Sequence, residues 1–176
     1  VNEAEQEYFI NAGGTKQAGL ESQLMLQLMA DRKTTFIRGL YLNNSLTYSD
    51  FKFNNYSINT TDYSGNMLTG VPSTIFVSGL MLKLPAQLYL FLQHNFTSFI
   101  FLDDANSIAA GGYHLFMVKG GWKFIQNAHF SLELSGGVDN ILNEKYSLGN
   151  DLNAMGGRYF NAAMPRNYFF KLEMRL

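Results

Sequence analysis

Alternation of apolar and polar side chains with period two, sustained well past the length of an ordinary strand, constrains this chain more than any other property. From Lys16 to Met29, Leu20, Ser22, Leu24, Leu26 and Leu28 fall on one side, and Glu21, Gln23, Met25 and Gln27 on the other. Period two is the pleat of a β-strand. A run of roughly 12 residues or more exceeds the common strand of about five or six and matches what a tilted strand needs to cross a bilayer. The pattern recurs over Gly39 to Tyr48, Phe76 to Leu84, Leu88 to Phe96, His114 to Phe124, Phe130 to Val138 and Tyr168 to Leu176. A shorter candidate, Glu5 to Ala12, opens the chain and brings the expected count to about eight strands.

Connection lengths alternate as well. Those near Ala30 to Lys33, Pro85 to Ala86 and Ile125 to Ala128 are tight, whereas Phe51 to Pro72, Phe101 to Gly112 and Asn140 to Arg166 are long and polar. Transmembrane barrels have short periplasmic turns and long outer loops, so a last strand ending in the periplasm assigns the three long loops to the outside. Gly13 to Lys16 is a short connection on the outer side and breaks this rule. Aromatic residues cluster where strands meet loops, at Tyr8, Tyr48, Phe51, Phe53, Phe99, Phe101, Tyr113, Tyr159 and Phe160, as a membrane girdle requires.

Composition removes whole classes of function. A net charge of -1 on 176 residues leaves no basic footprint for nucleic acid. The absence of cysteine excludes disulfide frameworks, thiolate zinc sites and cysteine nucleophiles. Apolar segments are interrupted at alternate positions, so no stretch approaches the run of about 18 residues that a transmembrane helix needs. The chain begins at Val1 without an initiator methionine or a signal peptide's basic and apolar regions, and it reads as processed or truncated. Nucleophile-elbow, P-loop, dinucleotide and HExxH motifs are missing, and no enzyme or cofactor is expected. His94, His114 and His129 fall on separate predicted strands or turns without close spacing, and no metal is assigned to them.

Several segments, taken in order, resemble a known family. Asn11-Ala12-Gly13-Gly14-Thr15-Lys16-Gln17-Ala18-Gly19-Leu20-Glu21 resembles the stretch that opens a late barrel strand in TonB-dependent outer-membrane receptors. Gly137-Val138-Asp139-Asn140-Ile141-Leu142-Asn143-Glu144-Lys145-Tyr146 is similar to their penultimate strand and its exit. Gly157-Arg158-Tyr159-Phe160 followed by Pro165-Arg166-Asn167-Tyr168-Phe169 resembles the loop leading into their final strand, and Thr69-Gly70-Val71-Pro72 a turn that re-enters the barrel. The wording is closest to receptors of the Bacteroidetes type. Ala162-Ala163-Met164-Pro165 departs from the usual proline-rich loop, and Leu176 stands where a terminal Phe is usual.

The resemblance implies an all-β, antiparallel, up-and-down transmembrane barrel. Residues 1–176 would form the C-terminal portion of its 22 strands, without the plug domain. It further implies a bacterial outer-membrane location, uptake of an iron-siderophore complex or other large nutrient, and partnership with lipid, with the plug and remaining strands, and with TonB through the parent protein. Loop residues become ligand-contact candidates because binding concentrates on loops held by a rigid scaffold: Asp62, Tyr63, Asp103, Asp104, Asn106, Arg158 and Tyr159. Glu21, Gln23, Gln27, Lys83, Glu133, Lys171, Glu173 and Arg175 would line the lumen, with mutual pairing among the last three. Two alternatives stand beside this reading: a self-sufficient eight-stranded membrane barrel, and a soluble lipocalin-like barrel with its Leu-rich face turned inward.

Overall fold

A computed structural model describes residues 13–127 and 130–176. Seven long strands make one antiparallel meander in which each strand pairs with its neighbour in sequence. They are β1 Gly14–Met29, β2 Gly39–Asn54, β3 Thr74–Lys83, β4 Leu88–Thr97, β5 Tyr113–Gln126, β6 Ser131–Asp139 and β7 Asn167–Arg175. Every strand expected from alternation within the described residues is present. The expected strand Glu5 to Ala12 lies outside them.

The alternation survives into register. One row runs Leu26, Leu42, Leu80, Leu92, Val118, Val138, Tyr168 across all seven strands. The row beside it runs Gln27, Tyr41, Met81, Phe91, Lys119, Gly137, Phe169 on the opposite face. In these rows one face is apolar and the other mixed and polar, because adjacent Cβ atoms point to opposite sides of the pleat. Bulges after Gln27 and near Glu133 locally shift the pairing without exchanging the faces.

Among the described residues nothing is packed on the apolar face. Leu20, Leu24, Leu28, Phe170, Leu172 and Met174 are all exposed, and the apolar side chains buried among the described residues are Leu102 and Ala110, both in a loop. The surface is 12370 Å², against about 8,700 Å² for a compact soluble monomer of this mass. The described residues form no core of the soluble kind, and the Leu-rich face is not turned inward as the lipocalin-like alternative requires. No described helix is long and apolar enough to cross a membrane, which says nothing about strands.

Glycine and aromatic residues alternate across the polar face. A Cβ at Gly121 would collide with the Tyr89 ring, one at Gly137 with Phe169, and one at Gly79 would crowd Phe91. Each ring lies flat over a neighbouring strand's glycine, which restores the packing that glycine lacks. Lying across Gly121, Tyr89 reaches Glu133 and donates to its carboxylate at 2.5 Å. The three lumen-face charges expected to pair do so: Glu173 accepts from Lys171 and from Arg175, whose Nη2 lies 2.5 Å away.

Four expectations need correction. Among the described residues the sheet is open, since no ladder joins β1 to β7, where the self-sufficient eight-stranded alternative needs closure. Gly14 to Lys16 continue β1 instead of forming a connection. Strand β2 runs on to Asn54, so the first long loop begins later than Phe51. Because β2 continues to alternate, Phe51 and Phe53 point to the polar face. Of the loop-boundary aromatics, Tyr48 stands on the apolar face, where Phe96, Phe116 and Tyr168 also stand. Tyr8 lies outside the described residues.

Candidate functional site

The long connections, residues 55–73, 98–112 and 140–166, all leave the same end of the sheet. Each builds local structure. The first holds a small ladder pairing Ser57–Ile58 with Thr61–Asp62, and the second pairs Ile100–Phe101 with Ala109–Ala110. The third folds back as an irregular arm, closed by Ala163 N–H to Tyr146 O at 3.1 Å and Asp151 N–H to Tyr159 O at 3.1 Å.

The exit from β6 shows why that stretch is rich in asparagine. Asn140 and Asn143 have φ of 49° and 55°, a left-handed conformation that asparagine tolerates better than most residues. The buried Asn140 side chain accepts from Glu144 N–H at 2.7 Å and donates to Glu144 O at 2.9 Å. Asn143 accepts from Arg166 N–H at 3.0 Å, tying the two ends of the arm together. Tyr146 then packs on Tyr113 with ring centroids 4.5 Å apart.

Asp104 is the point where the three loops meet. Its carboxylate accepts from Tyr56 Oη at 2.8 Å and Thr69 Oγ1 at 2.5 Å in the first loop, and from Asn153 Nδ2 at 3.1 Å in the third. Its backbone carbonyl accepts from Asn66 Nδ2 at 2.7 Å, and its N–H donates to Asn153 Oδ1 at 3.0 Å. Asn106 accepts from Met67 N–H at 2.7 Å and donates to Met67 O at 3.0 Å, as a further strand would. Beneath these bonds Leu102 is fully buried, and its carbonyl accepts from Asn153 N–H at 2.8 Å. Gly70, at φ 77°, turns the first loop against Leu152 of the third.

Asp103, Asp104 and Asn106 thus sit together, and their polar groups are already engaged within the protein. Asp103 closes its own turn, accepting from Ser107 N–H at 2.8 Å and Ile108 N–H at 3.0 Å and from the Ser107 hydroxyl. Burial works to raise its pKa, but these hydrogen bonds prevail and hold it below the ordinary carboxylate value. Asp62 is exposed and lowered mainly by the Ser64 hydroxyl, and Tyr63 leans on Tyr56 with centroids 5.8 Å apart. Arg158 is exposed and Tyr159 half-buried on the third-loop arm. No hydrogen bond or ion pair joins either side chain to the Asp104 cluster among the described residues.

Sequence reasoning missed Tyr56, Thr69 and Asn153, which lie 48, 35 and 49 positions from the carboxylate they bind. Nothing in the sequence links them. Tyr56 is pushed up to about 12, first by burial and then by the Asp104 carboxylate it donates to. A phenol whose pKa is raised on folding stabilises the folded loops fully below its unfolded value of about 10, and that contribution disappears as pH rises through the folded value. Protease sensitivity of the first loop is therefore expected to rise steeply between about pH 10 and 12, and Tyr56→Phe should flatten that rise; an unchanged profile in the variant would disprove the assignment.

A second constellation was also missed. His94 and His114 are not distant: they are diagonal neighbours on β4 and β5, with Nε2 and Nδ1 2.9 Å apart. Their ring planes differ by 5° and their centroids are 5.2 Å apart, the geometry of two imidazoles sharing one N–H···N hydrogen bond edge to edge. Phe116 and Phe96 flank the pair at 4.5 and 4.6 Å. The pair lies on the apolar face, where each ring nitrogen in the hydrogen bond is the other's polar partner. His129 lies outside the described residues.

Together the open meander, the bare apolar face and the loops gathered at one end have the features of a segment of β-barrel wall. Solved structures that match it carry the point further. It is similar to the ferric citrate transporter FecA in its unliganded form, with 19% identity, a TM-score of 0.74 and 92% of this chain covered. It is similar to the siderophore receptor PiuA of Acinetobacter baumannii, with 19% identity, a TM-score of 0.67 and 92% covered. It is also similar to BauA, the ferric preacinetobactin receptor of the same organism, with 15% identity, a TM-score of 0.73 and 94% covered. The chain spans 24%, 22% and 23% of the length of those proteins, respectively. No protein-family model matches it. The fold is therefore the one this chain shares with a stretch of those three transporter and receptor structures, an antiparallel meander of β-barrel wall.

Proposed function

We propose that residues 1–176 are the C-terminal portion of the barrel of a TonB-dependent receptor in a bacterial outer membrane, a protein that imports an iron-siderophore complex or another large nutrient and is not an enzyme. The observation that carries this reading is the apolar row spanning seven strands with nothing packed on it. A face of that kind is stable against hydrocarbon and unstable in water. The likeness to the ferric citrate transporter and the two iron-complex receptors supports the cargo class.

In this reading the apolar face meets lipid, the polar face lines the lumen, and β1 and β7 offer their free edges to the remaining strands of a 22-stranded barrel. A plug domain and the TonB contact belong to the rest of the parent protein. The three long loops form part of the outer rim. Arg158, Tyr159, Asp62 and Tyr63 are the ligand contacts in it, while Asp103, Asp104 and Asn106 hold the rim in shape.

The test is transport. Deleting the parent gene is expected to abolish accumulation of at least one radiolabelled iron chelate, with recovery by the wild-type gene and at least tenfold poorer recovery by Arg158→Ala/Tyr159→Ala. Undiminished uptake of every iron complex and of other large nutrients in the deletion strain would refute the import role.

A further inference from the structure

The His94–His114 pair sits on the apolar face near the ends of β4 and β5 that the connection 98–112 joins. Phenyl rings enclose it. Phe116 lies over His94 at 4.5 Å, Phe96 over His114 at 4.6 Å, and Phe76 meets His94 edge-on at 6.2 Å. The residue opposite His94 on β3 is Ser78. Among the described residues no group of three or more His, Cys, Asp or Glu side chains could hold a metal ion. The two imidazoles therefore stand as a ligand pair without a third strong donor, which leaves out the four-ligand sets that structural zinc takes.

Direction matters more than distance here. His94 Nε2 and His114 Nδ1 are 2.9 Å apart, the ring planes differ by 5°, and the ring centroids are 5.2 Å apart. That centroid separation is the nitrogen separation extended by one ring radius at each end, so both facing nitrogens lie close to the line between the centroids. Ligands that meet a metal at a right or tetrahedral angle converge on it from two directions; these two point at each other. A metal–imidazole bond is about 2.0 Å long, so a cation seated midway needs the nitrogens about 4 Å apart. The gap must open by about 1 Å, and the exposed His114 has room to swing by that amount.

We propose that His94 Nε2 and His114 Nδ1 form a linear, two-coordinate site for a closed-shell monovalent cation, Cu(I) or its analogue Ag(I), which bridges β4 and β5. Imidazole is a good ligand for copper. Charge selects the monovalent ion, because the cost of bringing an ion onto an apolar surface grows with the square of its charge and two neutral ligands offset little of it for a dication. The surrounding phenyl rings add attraction for a cation through their electron-rich faces. The proton that the pair shares without metal moves to the far nitrogen of the ring that carried it. Both imidazoles then coordinate as neutral ligands, and no proton leaves the protein.

The full-length parent protein, purified in detergent, is titrated anaerobically with Cu(I) buffered by bicinchoninate, and the X-ray absorption edge of the bound copper is recorded. Wild type is expected to bind one Cu(I) more than His94→Phe or His114→Phe. The edge difference between them should carry the sharp feature of linear two-coordinate copper(I), with two nitrogen neighbours. Ag(I) should displace this copper, and excess Zn(II) should not. Phenylalanine keeps the face apolar, heat-dependent gel mobility shows that each variant barrel is intact, and His114→Gln serves if a phenylalanine variant does not assemble. Equal copper binding by wild type and variants, a three- or four-coordinate edge for the copper that the variants lose, or its displacement by Zn(II) overturns the proposal. None of these readouts depends on what the barrel imports.

Discussion

Replacing Asp104 by alanine is expected to release the three long loops from one another while leaving the seven-stranded sheet in place. The substitution removes the acceptor of Tyr56, Thr69 and Asn153 at once. Hydrogen bonds to a charged group are worth about 1.5–3 kcal/mol each, and half-buried Tyr56 and Thr69 lose their acceptor. Allowing for water that enters the opened site, a local loss of about 3 kcal/mol follows. Cleavage that requires local opening scales with the open population, so chymotrypsin should cut after Tyr56 or Leu102 roughly a hundredfold faster. Asp104→Asn keeps one carbonyl acceptor but turns an amide donor toward hydroxyls that are already donating, and should fall between wild type and alanine. Equal cleavage rates in all three proteins would show that the carboxylate does not staple the loops.

The second large effect separates the two faces. Leu92 lies in the apolar row between Leu80 and Val118, and Gln93, its neighbour in sequence, points the other way. Leu92→Arg is expected to destabilise the barrel in lipid vesicles by about 2–4 kcal/mol, the cost of a cation on the lipid face near the bilayer centre. Gln93→Arg should stay within about 0.5 kcal/mol, as a substitution on a wet wall does. Denaturant titration of both variants in vesicles measures the difference directly. Two equal losses, or a larger one at Gln93, would place lipid on the other side of the sheet and reverse every inside-outside assignment made from it.

These two predictions differ in how far the sequence foresees them. The contrast between Leu92 and Gln93 is legible from the alternating run Leu88 to Phe96, because side-chain direction in a strand depends only on the parity of position. Most strand limits were legible for the same reason, and the misplaced end of β2 shows the limit of the method. Its alternation continues through Ser49, Asp50, Phe51 and Lys52, but with polar residues on both faces, so nothing local distinguishes an extended strand from a loop. The His94–His114 pair was hidden by register: residues 20 positions apart become neighbours only once the offset between β4 and β5 is known.

Asp104 was singled out in the sequence as a loop carboxylate, and it lies in the second long connection. Its partners were not readable, because a hydrogen bond between residues 35 to 49 positions apart depends on how three loops cross. The flat placement of Tyr89 over Gly121 was likewise invisible, since neither residue signals the other without the strand pairing. By itself, then, the amino-acid order determined the strands, their two faces and the end from which the long loops leave, all consequences of the pleat's period of two. The tertiary structure alone decided which distant polar groups satisfy one another, because that depends on register and loop crossing, which only the assembled sheet establishes.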